Sequence, residues 1–174
     1  MILSSLLMVL AYSLSGIFDF VLAARLFGDN AMAAVNLVTP IFLVITFLSS
    51  MIGTGTVYLY SFEIGAFRPD NANKIVGQGA ILAVMLSILL GAILFFGKEV
   101  FFSFFEVTGD IEAFAREYYS LFFLVAAINP VRFLMYALVF ADGGGKNGVI
   151  SNFVSLFVHI AASTILGIKF GMAG

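Results

Sequence analysis

The stretch Ile2–Phe27, ILSSLLMVLAYSLSGIFDFVLAARLF, decides how the chain is read. It is apolar, long enough to cross a bilayer as a helix, and holds one acid, Asp19. A carboxylate at bilayer depth costs about 2.5–3.5 kcal/mol on insertion scales. Chains keep such a group where it faces other helices or water, usually where ions or protons are handled. Positions three, four and seven apart share a helix face, so Asp19 lies with Ala11, Tyr12, Ser15, Gly16 and Ala23. That face is small and polar. Leu14, Ile17, Phe18, Phe20, Val21 and Leu22 cover the others and suit lipid tails. Asp19 is therefore expected to look into a bundle, with Ser15 and Tyr12 in hydrogen-bonding reach. The alternative is a structural acid satisfied by a neighbouring helix.

Composition extends this reading to the whole chain. Of its 174 residues, 62% are hydrophobic and only 10% charged, against about a quarter charged in soluble domains. The mean hydropathy is +1.13. The expected class is an all-α, polytopic membrane protein. No basic stripe suits nucleic acid. Cysteine is absent, which excludes disulfides, zinc–thiolate sites and thiol nucleophiles. No metal-ligand cluster and no nucleophile–base pair stands out, so an enzyme is not expected. The first apolar run lacks a basic leader and exceeds a signal-peptide core, so it reads as a retained helix.

Five spanning helices are expected, over about 2–27, 31–62, 75–96, 117–140 and 149–168. Gly28-Asp29-Asn30 makes the first turn, with Asp29 or Asn30 able to cap the second helix. The second helix is long for one span, which suggests tilt or a protruding end. It contains Pro40, and Asn36 and Thr39 just before it are candidates to line a cavity. Gly53-Thr54-Gly55-Thr56 is read as a close-packing patch. Gly79, Ala83, Ser87 and Gly91 recur every four residues and let a second helix approach. Glu63 to Lys74 reads as a polar loop. Val100 to Phe105 is too short to span and is expected at the interface or slightly re-entrant. Glu106, Asp110, Glu112 and Glu117 make an acidic loop.

In the fourth helix, Asn129-Pro130 is expected to introduce a kink, with Arg132 just beyond. Arg132 stands about 12 Å from the expected helix end at about 1.5 Å per residue. That is far for snorkelling alone, so a cavity, a carbonyl cluster or a buried acid is expected near it. The glycine-rich stretch Asp142 to Gly148 invites a phosphate-loop reading and fails it. Phe140 stands where the pattern needs the first Gly, and Asn147 where it needs Ser or Thr. Nothing therefore argues for ATP as the power source. On the fifth helix, Ser151, Ser155, His159, Ser163 and Gly167 fall every four residues, a polar stripe around the only histidine. A lone histidine is commonly a satisfied core residue. One in mid-membrane on such a stripe is also a candidate to handle protons.

Three stretches together resemble the multidrug and toxin extrusion (MATE) family. SGIFDFVLAARLFGDNAMAAVN, from Ser15 to Asn36, is similar to the family's first helix, its acid, its turn and the start of its second helix. FADGGGK, from Phe140 to Lys146, is similar to the loop after its fourth helix, and GIKFGMAG, from Gly167 to Gly174, to the segment before its sixth. The resemblance implies two lobes of six helices related by pseudo-twofold symmetry, with a cytoplasmic N-terminus, in the plasma or inner membrane. It implies an antiporter that exports small cationic, amphipathic drugs or metabolites in exchange for H⁺ or Na⁺, with no organic cofactor. Asp19 then matches the first-helix acid of the cation or proton site, with Ser15 and Tyr12 beside it. His159 and Ser163 stand where many bacterial members carry an Asn and an Asp, which favours protons over Na⁺. Asn36, Thr39, Asn129, Arg132 and Ser155 are the expected cavity-lining residues.

The expected helices cover most of the first lobe and none of the second. Alternating access needs one repeat to rock against another, so five helices do not transport alone. The chain is expected to act as the N-lobe part of an exporter, or to be a non-transporting fragment, or to pair with a chain that supplies the second lobe. A lipid-linked oligosaccharide flippase is a weaker fit, since such cavities are cationic and only Arg132 offers that charge.

Overall fold

The computed structural model describes residues 2–105 and 108–170, except for the side chains of 2–9, 11, 12, 15, 19, 23, 26, 27 and 166–170. All described elements are helices. They are α1 (Ile2–Gly65), α2 (Pro69–Phe105), α3 (Asp110–Ala141) and α4 (Gly145–Phe170). α1 is two helical arms joined at Gly28, whose backbone sits at φ 77° and ψ −171°. That conformation is open to glycine and strained for other residues. The expected turn is thus made by one residue, and the second arm is helical directly after it. Counting the arms separately gives five helical segments, in the places the apolar runs put them.

The helices run further than hydrophobicity alone suggests. Much of the stretch read as a polar loop, Glu63 to Lys74, is helix: α1 continues to Gly65 and α2 starts at Pro69. The Arg68 carbonyl accepts the first bonds of α2, from Asn71 and Ala72. Pro69 fits the first helical position, where its missing N–H is no loss, and Asp70 complements the helix dipole. The segment Val100 to Phe105 is not a separate interfacial or re-entrant piece; it continues α2 without a break. Gly97 is tolerated inside that helix at about 1 kcal/mol. α3 likewise takes in part of the expected acidic loop. It starts at Asp110 after Gly109 turns the chain at φ 72°, and Arg116 Nε pairs with Glu112 Oε1 one turn away at 2.8 Å.

Among the described residues, four helices are long and apolar enough to cross a membrane: Gly28–Gly65, Pro69–Phe105, Asp110–Ala141 and Gly145–Ile165. The first is 38 residues, about 57 Å at about 1.5 Å per residue, and exceeds a hydrocarbon core of about 30 Å. Burial follows membrane logic. Alanines 31, 34, 72, 83, 115 and 126 are buried, while Phe47, Ile88, Phe96, Leu124 and Phe157 are exposed. Small residues inside let helices approach; large apolar ones outside meet lipid.

The chain forms two compact units. One takes α1 as far as Thr39, α3 as far as Leu121, and α4 with Gly144 before it. Its buried residues include Ala31, Ala34 and Val38 of α1, Ala115 and Tyr119 of α3, and Leu156 of α4. The other takes α1 from Pro40, α2, and α3 from Phe122 through Gly143. There Ile45, Ser49, Pro130 and Leu134 are fully buried. A Cβ on Gly53 of α1 would stand 3.0 Å from the Phe133 carbonyl oxygen of α3. One on Gly79 of α2 would stand 2.5 Å from Thr56 Oγ1 of α1. Phe123 of α3 meets α2 through the Phe95 ring, with centroids 6.3 Å apart. The two small-residue patches read from the sequence are therefore where this unit's helices touch.

Candidate functional site

The first arm of α1 is helical through position 19, so residues 12, 15, 16, 19 and 23 share a face. The side chains of Asp19, Ser15 and Tyr12 lie outside the described residues. Gly16 on that face is exposed, with open space where a Cβ would stand. On the other faces Leu14, Ile17, Phe20 and Val21 are exposed, as lipid-facing residues should be.

The unbroken α4 keeps Ser155, His159 and Ser163 on one stripe. Ser155 and His159 are exposed, Ser163 is half-buried, and the neighbouring Leu156 is buried. Of the residues around Pro40, Asn36 is exposed and Thr39 half-buried. Thr39 Oγ1 donates to the Val35 carbonyl at 2.7 Å, so its hydroxyl is engaged within its own helix. The first arm of α1, α4, Asn36 and Thr39 all belong to the same unit.

Asn129 and Arg132 belong to the other unit. Asn129 is buried, and its Nδ2 donates to Thr46 Oγ1 of α1 at 3.4 Å. Arg132 is exposed, with its guanidinium 5.5 Å from the centre of the Phe133 ring. Tyr136, one turn beyond, packs on Phe140 with centroids 5.1 Å apart. Its hydroxyl is buried and has no hydrogen-bond partner.

Two contacts of this unit escape a reading of the sequence. Thr46 partners Asn129 across 83 positions. Tyr60 Oη donates to Asp142 Oδ1 at 2.5 Å and ties the end of α1 to the turn after α3. Asp142 lies in the FADGGGK motif, but nothing local points to a tyrosine 82 positions earlier. Among the described residues no group of three His, Cys, Asp or Glu could hold a metal ion. The polar groups on offer are hydroxyls, amides, one imidazole and one guanidinium.

The chain is similar to a solved structure described under the words "reverse polarity of binding pocket suggests different function of a MOP superfamily transporter from Pyrococcus furiosus Vc1 (DSM3638)". The two superpose with a TM-score of 0.89 at 20% identity, over 98% of this chain and 38% of the other. At that identity the likeness concerns the fold. The chain thus spans well under half the length of that relative. No curated protein matches the sequence. The family model named MatE matches residues 4–165, nearly the whole chain, and the chain belongs to the MatE family.

Proposed function

We propose that the chain provides first-lobe helices of a secondary active antiporter in the cell membrane. Its cargo would be small cationic, amphipathic drugs or metabolites, exchanged for H⁺ or Na⁺. The observation that carries this reading is family membership together with one acid, Asp19, in the middle of the first apolar helix. An intramembrane carboxylate is a functional group by default. Deprotonated, Asp19 binds the coupling ion. A proton arriving there neutralises it and changes how the first arm of α1 packs, which releases substrate. His159 belongs to the same unit and is the second titratable group proposed for this step. Ser15, Tyr12 and Ser163 supply oxygen ligands. Asn36, Thr39, Asn129, Arg132 and Ser155 are proposed to line the substrate path. With His159 and Ser163 in place of an amide and a second carboxylate, the site suits protons better than Na⁺.

A second reading is favoured by the 38% coverage of the structural relative. These helices then transport only together with a second lobe, carried by the same polypeptide or by a partner chain, or do not transport. Both readings meet one assay, drug efflux from cells stripped of their own exporters. The chain, its Asp19→Asn variant and the chain co-expressed with a second lobe are compared. Efflux that needs the second lobe and falls at least tenfold in Asp19→Asn is the expected result. Efflux that survives Asp19→Asn sinks the ion-site assignment. None in any combination, with the chain inserted in the membrane, leaves only the non-transporting reading.

A further inference from the structure

The turn between α1 and α2 holds an aromatic ring where the backbone disfavours it. α1 ends in a Schellman motif: the Arg68 N–H donates to the Glu63 carbonyl at 2.9 Å, and the Phe67 N–H to the Ile64 carbonyl at 3.0 Å. The motif puts its penultimate residue in the left-handed region, where glycine is the usual choice. Here that residue is Phe67, at φ 57°. It is the only non-glycine residue with positive φ among those described. A bulky residue in that conformation is an outlier that points to function. The ring gains no packing in return, since Phe67 is 93% exposed. The ring therefore faces what surrounds the chain.

The surroundings indicate what it is. On α1, Tyr58, Leu59 and Phe62 form one exposed apolar strip, and Ile64 is exposed on the opposite side just before the turn. α2 presents no exposed large apolar residue until Ile81, although it lies beside α1 at the Thr56–Gly79 contact. At the end of the hairpin, then, the exposed surface is apolar on α1 and polar on α2, the mixed surface that suits a membrane–water interface. The turn's basic residue is already engaged: Arg68 Nε lies 3.0 Å from Glu63 Oε2, and Asn71 Nδ2 donates to the same oxygen at 3.4 Å. A neutralised polar collar under an exposed ring suits the acyl–headgroup boundary, where aromatic side chains are held. It does not call for anionic headgroups.

We propose that the α1–α2 turn is a membrane anchor, with the Phe67 ring inserted at the acyl–headgroup boundary of the bilayer. Lipid is the occupant argued for because exposed apolar residues of a membrane-length helix, α1, run up to the turn on both of its sides. A protein occupant is an outcome of the test. The anchor sets the depth of the α1–α2 hairpin and is independent of whether the chain transports.

The chain contains no tryptophan and no cysteine, so single reporters are unambiguous. Phe67→Trp is reconstituted as the full chain into phosphatidylcholine bilayers brominated near the glycerol, at mid-chain or near the chain end. Phe47→Trp, on an exposed mid-helix site of α1, serves as the deep standard. Phe67→Trp should be quenched most by the shallow bromines, and equally when phosphatidylglycerol is added. Emission resembling that in water and quenched only by iodide overturns the proposal. So does blue-shifted emission quenched by neither agent, which would mean a protein occupant.

Because tryptophan itself favours the interface, a second readout omits it. Asp70→Cys is labelled with a membrane-impermeant maleimide, with Phe67 intact and as Phe67→Gly. Losing the anchor should speed labelling several-fold while relieving the backbone, so the protein stays folded. Equal rates in the two backgrounds overturn the proposal.

Discussion

Tyr136 carries the only buried side-chain polar atom among the described residues that makes no hydrogen bond. A buried, unsatisfied polar group costs about 1–3 kcal/mol, and the low end applies because the tyrosine as a whole is half-buried. Tyr136→Phe is therefore expected to stabilise the chain by about 1 kcal/mol, read as a higher midpoint in a denaturant titration in mixed micelles. A lower midpoint would mean that the hydroxyl has a partner in the membrane. Legibility in the sequence varies most at this scale. Arg132 stands out in an apolar helix by charge alone, and Asn129 by the proline after it. Tyr60 and Asp142 look like ordinary helix-end residues, and only folding brings their side chains together. Tyr136 is legible as a neighbour of Arg132. Its buried hydroxyl is not, because burial depends on helices distant in sequence.

Helix packing distinguishes three glycines that look alike in sequence. At Gly53 an added Cβ meets the Phe133 backbone, with the carbonyl oxygen at 3.0 Å and its carbon at 3.2 Å. Backbone inside a helix cannot rotate away. At Gly79 the Cβ comes still closer, 2.5 Å from Thr56 Oγ1 and 2.6 Å from its Cγ2, but these atoms end a side chain. At Gly91 the nearest atom is Phe123 Cζ, at an ordinary 3.8 Å. Gly53→Ala should cost about 1–3 kcal/mol, as overpacking does, with no rescue at Thr56. Gly79→Ala should be destabilising alone and partly recovered by Thr56→Ala. Gly91→Ala should be near neutral. The same micelle titration checks all three; a neutral Gly53→Ala would mean that α1 and α3 are not in contact there. The four-residue spacing makes the small stripe visible in the sequence. Which members touch is not visible there, since that depends on the partner helix. Helix ends are under-read for a related reason. Polar residues at Pro69 to Lys74 and Asp110 to Glu117 mark the limit of the apolar zone, and a helix crosses that limit freely.

For the whole molecule, the apolar runs leave one question that charge does not settle: which ends of the helices face the cytoplasm. Five apolar runs that each cross the bilayer once would put the Gly28 turn and the stretch between the third and fourth runs on one side. The same count would put the α1–α2 and α3–α4 turns on the other. Within the second unit the Tyr60–Asp142 hydrogen bond agrees, since it joins the end of α1 to the turn after α3. On that count the basic residues divide three against four: Arg68, Lys74 and Lys146 on one side, and Arg25, Lys98, Arg116 and Lys169 on the other or at its edge. The positive-inside rule therefore has little to act on. The family resemblance implies a cytoplasmic N-terminus, which puts the α1–α2 and α3–α4 turns inside. With no native cysteine to interfere, single cysteines read this directly. Asp29→Cys and Asp110→Cys should react with an impermeant maleimide in intact cells. Asp70→Cys and Lys146→Cys should react only after permeabilisation. The reverse pattern inverts the chain and puts the proposed Phe67 anchor in the outer leaflet. Equal labelling at all four sites in intact cells would mean dual insertion. That outcome has a physical basis in so balanced a sequence, because the Lys/Arg bias between the two sides that sets orientation is nearly absent.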